Sequence, residues 1–244
     1  MEMQNKVAVV TGGSRGFGRA IAEALAERGA TTVSLARHSA GVVHPGITEV
    51  AGDATDETVL DTVFSAHRPD ILVLNAGLAP AMAPAPQQSW EGFSAAWNND
   101  LKHSFLWSQK AVSAPMKRGG TVLVVSSGAA IQGSPLSGGY AGAKRMQWLL
   151  SNYYRQVSER MGLGVRFCAL VPRAISVDTA LGQGAAAAYA KARGISLDAF
   201  LAGMGPRLTP AMVGAAVLSI LDGSVADAAA YAVSGQGLEI LENG

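Results

Sequence analysis

Charge is scarce in this chain of 244 residues. Asp, Glu, Lys and Arg make up 15% of it, against about 25% in an average soluble domain. The 19 Lys and Arg nearly cancel the 18 Asp and Glu, leaving a net charge of +1. No basic excess is available to neutralise a phosphate backbone, which argues against a nucleic-acid partner. Cysteine is almost absent: Cys168 alone excludes an internal disulfide and any zinc site built from cysteines. It lies in Arg166-Phe167-Cys168-Ala169-Leu170, which reads as a strand, and is expected to be a small buried hydrophobe. The four histidines have no metal-ligand spacing and are expected on the surface or in loops. The first residues lack the basic start and long apolar run of a signal peptide. Two stretches carry no charge, 71–90 and 119–143, and each has the length of a membrane span. The first is interrupted by Asn75, Pro80, Pro84 and Pro86, the second by serines, glycines and Pro135. These absences predict a soluble, cytoplasmic chain with no membrane, nucleic-acid or metal partner.

What is abundant is apolar residues, 49%, and glycine, 29 residues. That composition excludes disorder. Strands are expected at 6–10, 31–36, 47–51, 70–74, 121–126, 165–171 and 229–233. Helical periodicity falls at 16–28, 57–66, 90–116 (as one helix or two pieces), 139–161 and 209–221. Residues 40–46 read as loop, and the Ala/Gly-rich stretch 180–205 as a mobile helical flap. The clearest strands, Ile71-Leu72-Val73-Leu74 and Val122-Leu123-Val124-Val125, are apolar at every position, so both faces are covered. Alternation of such strands with helices predicts an α/β fold: a single-domain, Rossmann-type, doubly wound parallel sheet of about seven strands with helices on both faces. No linker divides residues 1–244.

After the first strand comes Thr11-Gly12-Gly13-Ser14-Arg15-Gly16-Phe17-Gly18, and then a helix. Glycines permit a tight turn and close approach to a pyrophosphate, and the helix N-terminus offers unpaired N–H groups. Gly12-x-Ser14-x-Gly16 also fits the nucleophile elbow of hydrolases. That reading fails because nothing upstream can form an oxyanion loop and no histidine lies in the last third of the chain. The second strand ends Ser34-Leu35-Ala36-Arg37-His38, without the acid that usually holds the ribose of NAD. Arg15 and Arg37 instead suit a 2′-phosphate, with His38 and Ser39 close by, so the expected cofactor is NADP(H).

Ser126-Ser127-Gly128 ends the strongest strand, at the sheet edge where α/β folds bind ligands. Tyr140 opens the next long helix, and Lys144 follows at i+4 on the same helical face. With these motifs the chain resembles the short-chain dehydrogenases/reductases over nearly its whole length. Thr11-Gly12-x-x-x-Gly16-x-Gly18 matches that family's cofactor loop, Asn75-Ala76-Gly77 its Asn-Ala-Gly motif, and Asp53-Ala54 its adenine contact. Ser127, Tyr140 and Lys144 match its catalytic Ser and Tyr-x-x-x-Lys. The resemblance implies hydride transfer between nicotinamide and a ketone or secondary alcohol. Ser127 would hold the carbonyl oxygen, Tyr140 would donate or take the proton, and Lys144 would lower the phenol's proton affinity and hold the ribose. It also implies cofactor contacts from Gly12, Ser14, Arg15, Gly16, Phe17, Gly18, Arg37, His38, Asp53, Ala54, Asn75, Ala76, Gly77, Tyr140, Lys144, Pro172 and Ile175. Association into a homotetramer or homodimer through the long helices is implied as well.

The chain departs from the family pattern at three places. Asp100 stands where an Asn is usual, so that an ionised carboxylate opposes the Lys144 charge. Pro172-Arg173 replaces the usual Pro-Gly, with Val177 or Thr179 in the region of a pyrophosphate-side Thr; Arg173 is either a pocket residue or solvated. The 40–46 connection is too short for the usual helix. The segments expected to choose the substrate, 174–208, 79–87 and 129–136, are small and apolar, which points to an uncharged, fairly hydrophobic carbonyl or alcohol. The alternative is a catalytically weak, nucleotide-binding regulatory protein on the same fold.

Overall fold

The computed structural model describes residues 3–39, 41, 44–114 and 116–241. Ala40, Val42 and Val43 of the expected loop lie outside them. Along the chain the elements are β1 (Val7–Thr11), α1 (Gly16–Glu27), β2 (Thr31–Ala36), β3 (Ile47–Ala51), α2 (Glu57–His67), β4 (Ile71–Leu74), a 3₁₀ turn (Ala85–Gln87), α3 (Trp90–Ala96), a π-helical turn (Trp97–Leu101) and α4 (Lys102–Ser113). They continue as β5 (Thr121–Val125), α5 (Ala129–Gln132), α6 (Gly138–Arg160), β6 (Arg166–Pro172), α7 (Ala180–Ala192), α8 (Leu197–Ala202), α9 (Pro210–Asp222), β7 (Ala230–Ser234) and β8 (Gly237–Ile240). The sheet order is β3-β2-β1-β4-β5-β6-β7-β8. All neighbours pair in parallel except β7 and β8, which form an antiparallel hairpin.

The α/β fold expected from the pattern is present, but the sheet has eight strands rather than seven. β8 escaped the pattern because Gly-Leu-Glu-Ile is too short and too exposed to show alternation. Only its pairing with β7 defines it. The hairpin closes through Ser234 and Gly237, the latter with φ 120°, a conformation glycine reaches without steric cost.

Successive strand residues point to opposite faces, and both faces are dry. Val10, Val73, Leu123 and Leu170 face one layer with Ile21 and Leu25 of α1 and Val213, Val217 and Ile220 of α9. Val9, Leu72, Val122 and Phe167 face the other, with Leu60, Val63 and Phe64 of α2 and Trp107 and Val112 of α4. Each such side chain contributes about 1.5–3 kcal/mol when removed from water, which is why the strand sequences carry no polar alternation. Trp107 is fully buried and satisfies its indole by donating to the Ala54 carbonyl at 2.8 Å. Cys168 lies buried in β6, where burial pushes its thiol up to about 11. Helix starts carry side-chain caps: Asp56 on α2, Ser89 on α3, Thr179 on α7, Ser196 on α8 and Thr209 on α9.

The flap contains two helices, α7 and α8, with a small core of their own around Ala186, Ala190 and Phe200. The Tyr189 hydroxyl lies 2.5 Å from Ser134 Oγ, tying α7 to the β5–α6 connection. An Arg207–Asp178 ion pair joins the two ends of the flap, with Nε to Oδ2 at 3.1 Å. No helix among the described residues is long and apolar enough to cross a membrane.

Helices α1 and α9 approach closely because Gly214 has no side chain. A Cβ there would lie 2.8 Å from the Ala20 carbonyl oxygen. Gly214→Val is therefore expected to destabilise the fold by about 1–3 kcal/mol, read as a lower urea midpoint at unchanged m-value.

Candidate active site

β1 pairs with β2 on one side and β4 on the other, so the connections leave in opposite directions and open a crevice at the carboxyl ends of the strands. Thr11, the last residue of β1, stitches this crevice. Its hydroxyl donates to the Val73 carbonyl (3.2 Å) and accepts from the Asn75 and Ala76 N–H groups (3.0 and 3.2 Å). The Asn75 side chain donates to the carbonyls of Thr11 and Gly12 at 3.2 and 3.3 Å. Asn75 thus acts as a strut for the glycine loop, a role that no spacing rule reveals.

The loop tolerates nothing larger than glycine at several positions. A Cβ at Gly12 (φ +68°) would lie 2.8 Å from Ala76 Cα, at Gly13 2.4 Å from Ser34 Oγ, and at Gly18 2.2 Å from the Gly12 carbonyl oxygen. Gly16 also has positive φ, +58°. Phe17 packs partly buried against the α1–α9 layer, and Ser14 is half-buried. No side chain caps the N-terminus of α1, whose boundary residue is Arg15. Arg15 and Arg37 are exposed, and among the described residues neither is engaged in an ion pair. His38 is exposed beside Arg37. The Ser39 hydroxyl is bonded to Glu49 of β3, so it is already occupied. Asp53 Oδ1 accepts both the amide and the hydroxyl of Thr55 at 2.8 Å. The Thr55 amide holds its carboxyl below the usual range against the opposing effect of burial; the Thr55 hydroxyl and the Arg37 and Lys102 charges act with it.

Across the crevice, Ser127 is half-buried and its Oγ accepts from the Ala129 N–H at 3.3 Å. Ser126 is turned inward and donates to the Lys144 carbonyl at 2.8 Å, fixing α6 against the end of β5. Gly139 lets α6 touch α3, since a Cβ there would lie 1.8 Å from the Phe93 carbonyl oxygen. Tyr140 is half-buried, and the Lys144 ammonium lies 5.5 Å from its ring centre. Lys144 is buried. Its Nζ sits 3.2 Å from Asp100 Oδ2 and 3.4 Å from the Val125 carbonyl. Asp100 is wholly buried, delivered by the π-helical turn, and its other oxygen accepts the Leu78 N–H at 2.9 Å. Burial works against the Lys144 ammonium, but the adjacent Asp100 carboxylate, with Tyr140, holds its proton affinity above the ordinary lysine value.

Two features of this region were not foreseen, the roles of Gln147 and His103, and a third, Thr179, resolves an open alternative. Gln147 Nε2 donates to the Asp100 carbonyl at 2.9 Å and to Ser104 Oγ at 2.5 Å; its only signal is its place one turn after Lys144. Thr179, rather than Val177, lies against the glycine loop, 3.4 Å from where a Gly16 Cβ would stand. His103 was expected at the surface, yet it is buried on α4, edge-on to Trp107. Its position one turn after Asp100 turns it inward with the same helix face. Burial pushes its imidazole down to about 3, the Lys144 charge acts in the same direction, and Asp53 acts against it.

Of the remaining expected residues, Pro172 is buried at the end of β6, its carbonyl accepting the Gly128 N–H at 2.7 Å. Ile175 packs against the flap's core. Arg173 is the solvated residue of the two alternatives: it is exposed and paired at the surface with Glu239 of β8 at 2.5 Å, a partner on the strand the pattern missed. Beside Tyr140 a cavity of about 150 Å3 opens, walled by Leu78, Ala79, Pro80, Phe93 and Ala96.

Residues 6–188 match the short chain dehydrogenase family, and the chain belongs to it. Among curated relatives, an uncharacterized oxidoreductase of Thermotoga maritima is 36% identical over 149 residues, 55% of this chain and 59% of that one. The 3-oxoacyl-(acyl-carrier-protein) reductase of Escherichia coli is 32% identical over 59% of this chain and 64% of its own. Galactitol 2-dehydrogenase of Agrobacterium fabrum is 33% identical over 59% and 61%. These matches take in less than two thirds of the relatives' lengths. The fold is shared with Brucella melitensis 3-ketoacyl-(acyl-carrier-protein) reductase complexed with NADH (TM-score 0.78, 23% identity, 96% of this chain and 98% of that chain). It is shared as well with ligand-free Thermoplasma acidophilum aldohexose dehydrogenase (TM-score 0.79, 21% identity, 96% and 94%).

The buried His103 has a consequence for stability. Unfolded, it takes a proton near pH 6.5; folded, it resists until about pH 3. Its contribution is therefore complete above pH 6.5 and lost as pH falls towards 3. Between pH 7 and 5 the wild type is expected to lose about 2 kcal/mol more than His103→Gln, measured by urea unfolding at the two pH values.

Proposed function

We propose that this chain is an NADP(H)-dependent oxidoreductase that interconverts a ketone and a secondary alcohol. The observation that carries this reading is the Tyr140–Lys144 pair, one turn apart on α6, in a chain whose turn after β1 has no room for a Cβ at Gly12, Gly13 or Gly18. The uncapped α1 N-terminus and the crowded glycines fit a pyrophosphate. Gly12, Ser14, Gly16, Phe17 and Gly18 would hold it, with Asn75, Ala76, Gly77, Pro172 and Ile175 around the rest of the dinucleotide and Asp53 and Ala54 at the adenine. The preference for NADP(H) is supported by the exposed guanidiniums of Arg15 and Arg37 beside His38, and by the absence of an acid at the end of β2.

When bound, the nicotinamide supplies or removes the hydride. The chain's own residues handle the oxygen. Ser127 Oγ holds the carbonyl oxygen as charge builds on it. The Tyr140 hydroxyl delivers its proton to that oxygen in reduction, or accepts it in oxidation. Lys144, kept cationic by Asp100, orients the ribose and sits beside the phenol. An uncharged, fairly hydrophobic substrate is supported by the cavity beside Tyr140, whose lining contains no charged side chain.

The reading extends to one domain over residues 1–244 and to a cytoplasmic location, consistent with a lone buried cysteine. It also includes a homodimer or homotetramer. Association is supported by Phe105 on α4 and Tyr153 on α6, 42% and 49% exposed.

Tyr140→Phe is expected to lower NADPH-dependent turnover on a panel of ketones and aldehydes by about 10²–10⁴-fold while leaving NADPH binding intact. Tight NADPH binding with no wild-type turnover across the panel would favour the regulatory reading. Arg37→Ala and Arg15→Ala are each expected to weaken NADPH about 10- to 100-fold with little effect on NADH, measured by fluorescence titration. Equal losses for both cofactors would remove the case for NADP(H).

A further inference from the structure

The buried carboxylate of Asp100 changes what Lys144 can do. An ammonium close to a phenol attracts the phenolate and so draws the proton off. Here the ammonium does not act alone. Asp100 Oδ2 lies 3.2 Å from Nζ, both side chains are buried, and bulk water screens the pair little. Asp100 is held there by the Leu78 N–H on Oδ1 and by Gln147 Nε2 on its backbone carbonyl. Gly77 makes room for the carboxylate: a Cβ at that position would stand 2.6 Å from Oδ2.

Among the described residues, the other groups facing this centre add no compensating charge. His103, from α4, is neutral because burial drives its imidazole down to about 3. From β5 comes the Val125 carbonyl, on Nζ, and from the residue that follows the strand the Ser126 hydroxyl, on the Lys144 carbonyl. Arg145, next along α6, lies over the Trp148 ring, 4.6 Å from its centre. Asp53 reaches this region only as a field on His103.

We propose that Asp100 is a positioning residue that offsets the field of the Lys144 ammonium, so that Tyr140 keeps its proton through neutral pH and the site is set to donate that proton, as carbonyl reduction requires. The inference rests on Tyr140 being the proton-transfer group. In the step concerned, the carbonyl carbon gains a hydride from the reduced nicotinamide and the C=O π pair becomes the bond from oxygen to the Tyr140 proton. That leaves an alcohol, an oxidised nicotinamide and a phenolate that is reprotonated from water. The overall equilibrium constant is untouched. What Asp100 sets is the pH range over which the phenol is available as an acid.

The test is a near-ultraviolet phenolate titration of the unliganded protein, in which each curve is corrected by its Tyr140→Phe counterpart to isolate Tyr140. Asp100→Asn is isosteric and removes the charge; Asp100→Ser is the second variant should the first not fold. Either is expected to move the Tyr140 midpoint down by about one pH unit or more, tenfold or more in proton release. The rise of oxidation and the fall of reduction with pH should both move down by the same amount. Unchanged or higher midpoints in the variants overturn the proposal. So does a wild-type Tyr140 already ionised at neutral pH, a result that needs no Asp100 variant. Full turnover by Tyr140→Phe would instead sink the catalytic reading and leave the titration result standing, so the two failures are distinct.

Discussion

At the carboxyl end of β1 the parallel sheet reverses its direction of winding, and the site depends on how that junction is held. One hydroxyl, that of Thr11, bonds to three backbone groups of β4 and the turn after it. Asn75 returns two bonds to the β1 side. Without these five contacts the crevice would expose unpaired backbone groups from both strands, each costing on the order of 1–3 kcal/mol. Because they are made internally, the glycine loop has a rigid floor, and Gly12 and Gly18 can close to within backbone contact of their neighbours.

The second element of the site is held differently. Lys144 and Asp100 come from α6 and from the π-helical turn ahead of α4, and they meet in a place where neither charge could stand alone. Breaking such a pair leaves a buried charge uncompensated, which typically costs 3–5 kcal/mol, whereas replacing both by apolar residues is often neutral. The pair is thus hard to explain by stability and easier to explain by its position beside Tyr140. It also gives one of the chain's few charges a defined place. A chain with 15% charged residues buries two of them at one point.

Much of this was legible in residues taken in order. The apolar runs of β4 and β5 announced strands covered on both faces. The glycine turn between a strand and a helix, and Tyr140 and Lys144 at helical spacing, both pointed to one edge of the sheet. What could not be read were contacts between elements distant in sequence. β8 has too little pattern in four residues and exists through its pairing with β7. His103 looked like a surface residue because polarity gives no hint of which helix face turns inward. Arg173 could be read as a pocket residue or a solvated one, and the choice was made by an exposed pairing with Glu239 of the strand that had been missed.

Local chemistry therefore determined the fold class, the place of the glycine turn and the Tyr–Lys face, since each follows from periodicity or backbone freedom over a few residues. The tertiary structure decided the rest. It set the edge strand, the buried His103, the Thr179 contact with the glycine loop and above all the meeting of Asp100 with Lys144. Those depend on which surfaces the sheet and helices bring together, and on a burial that turns two ordinary side chains into a coupled pair.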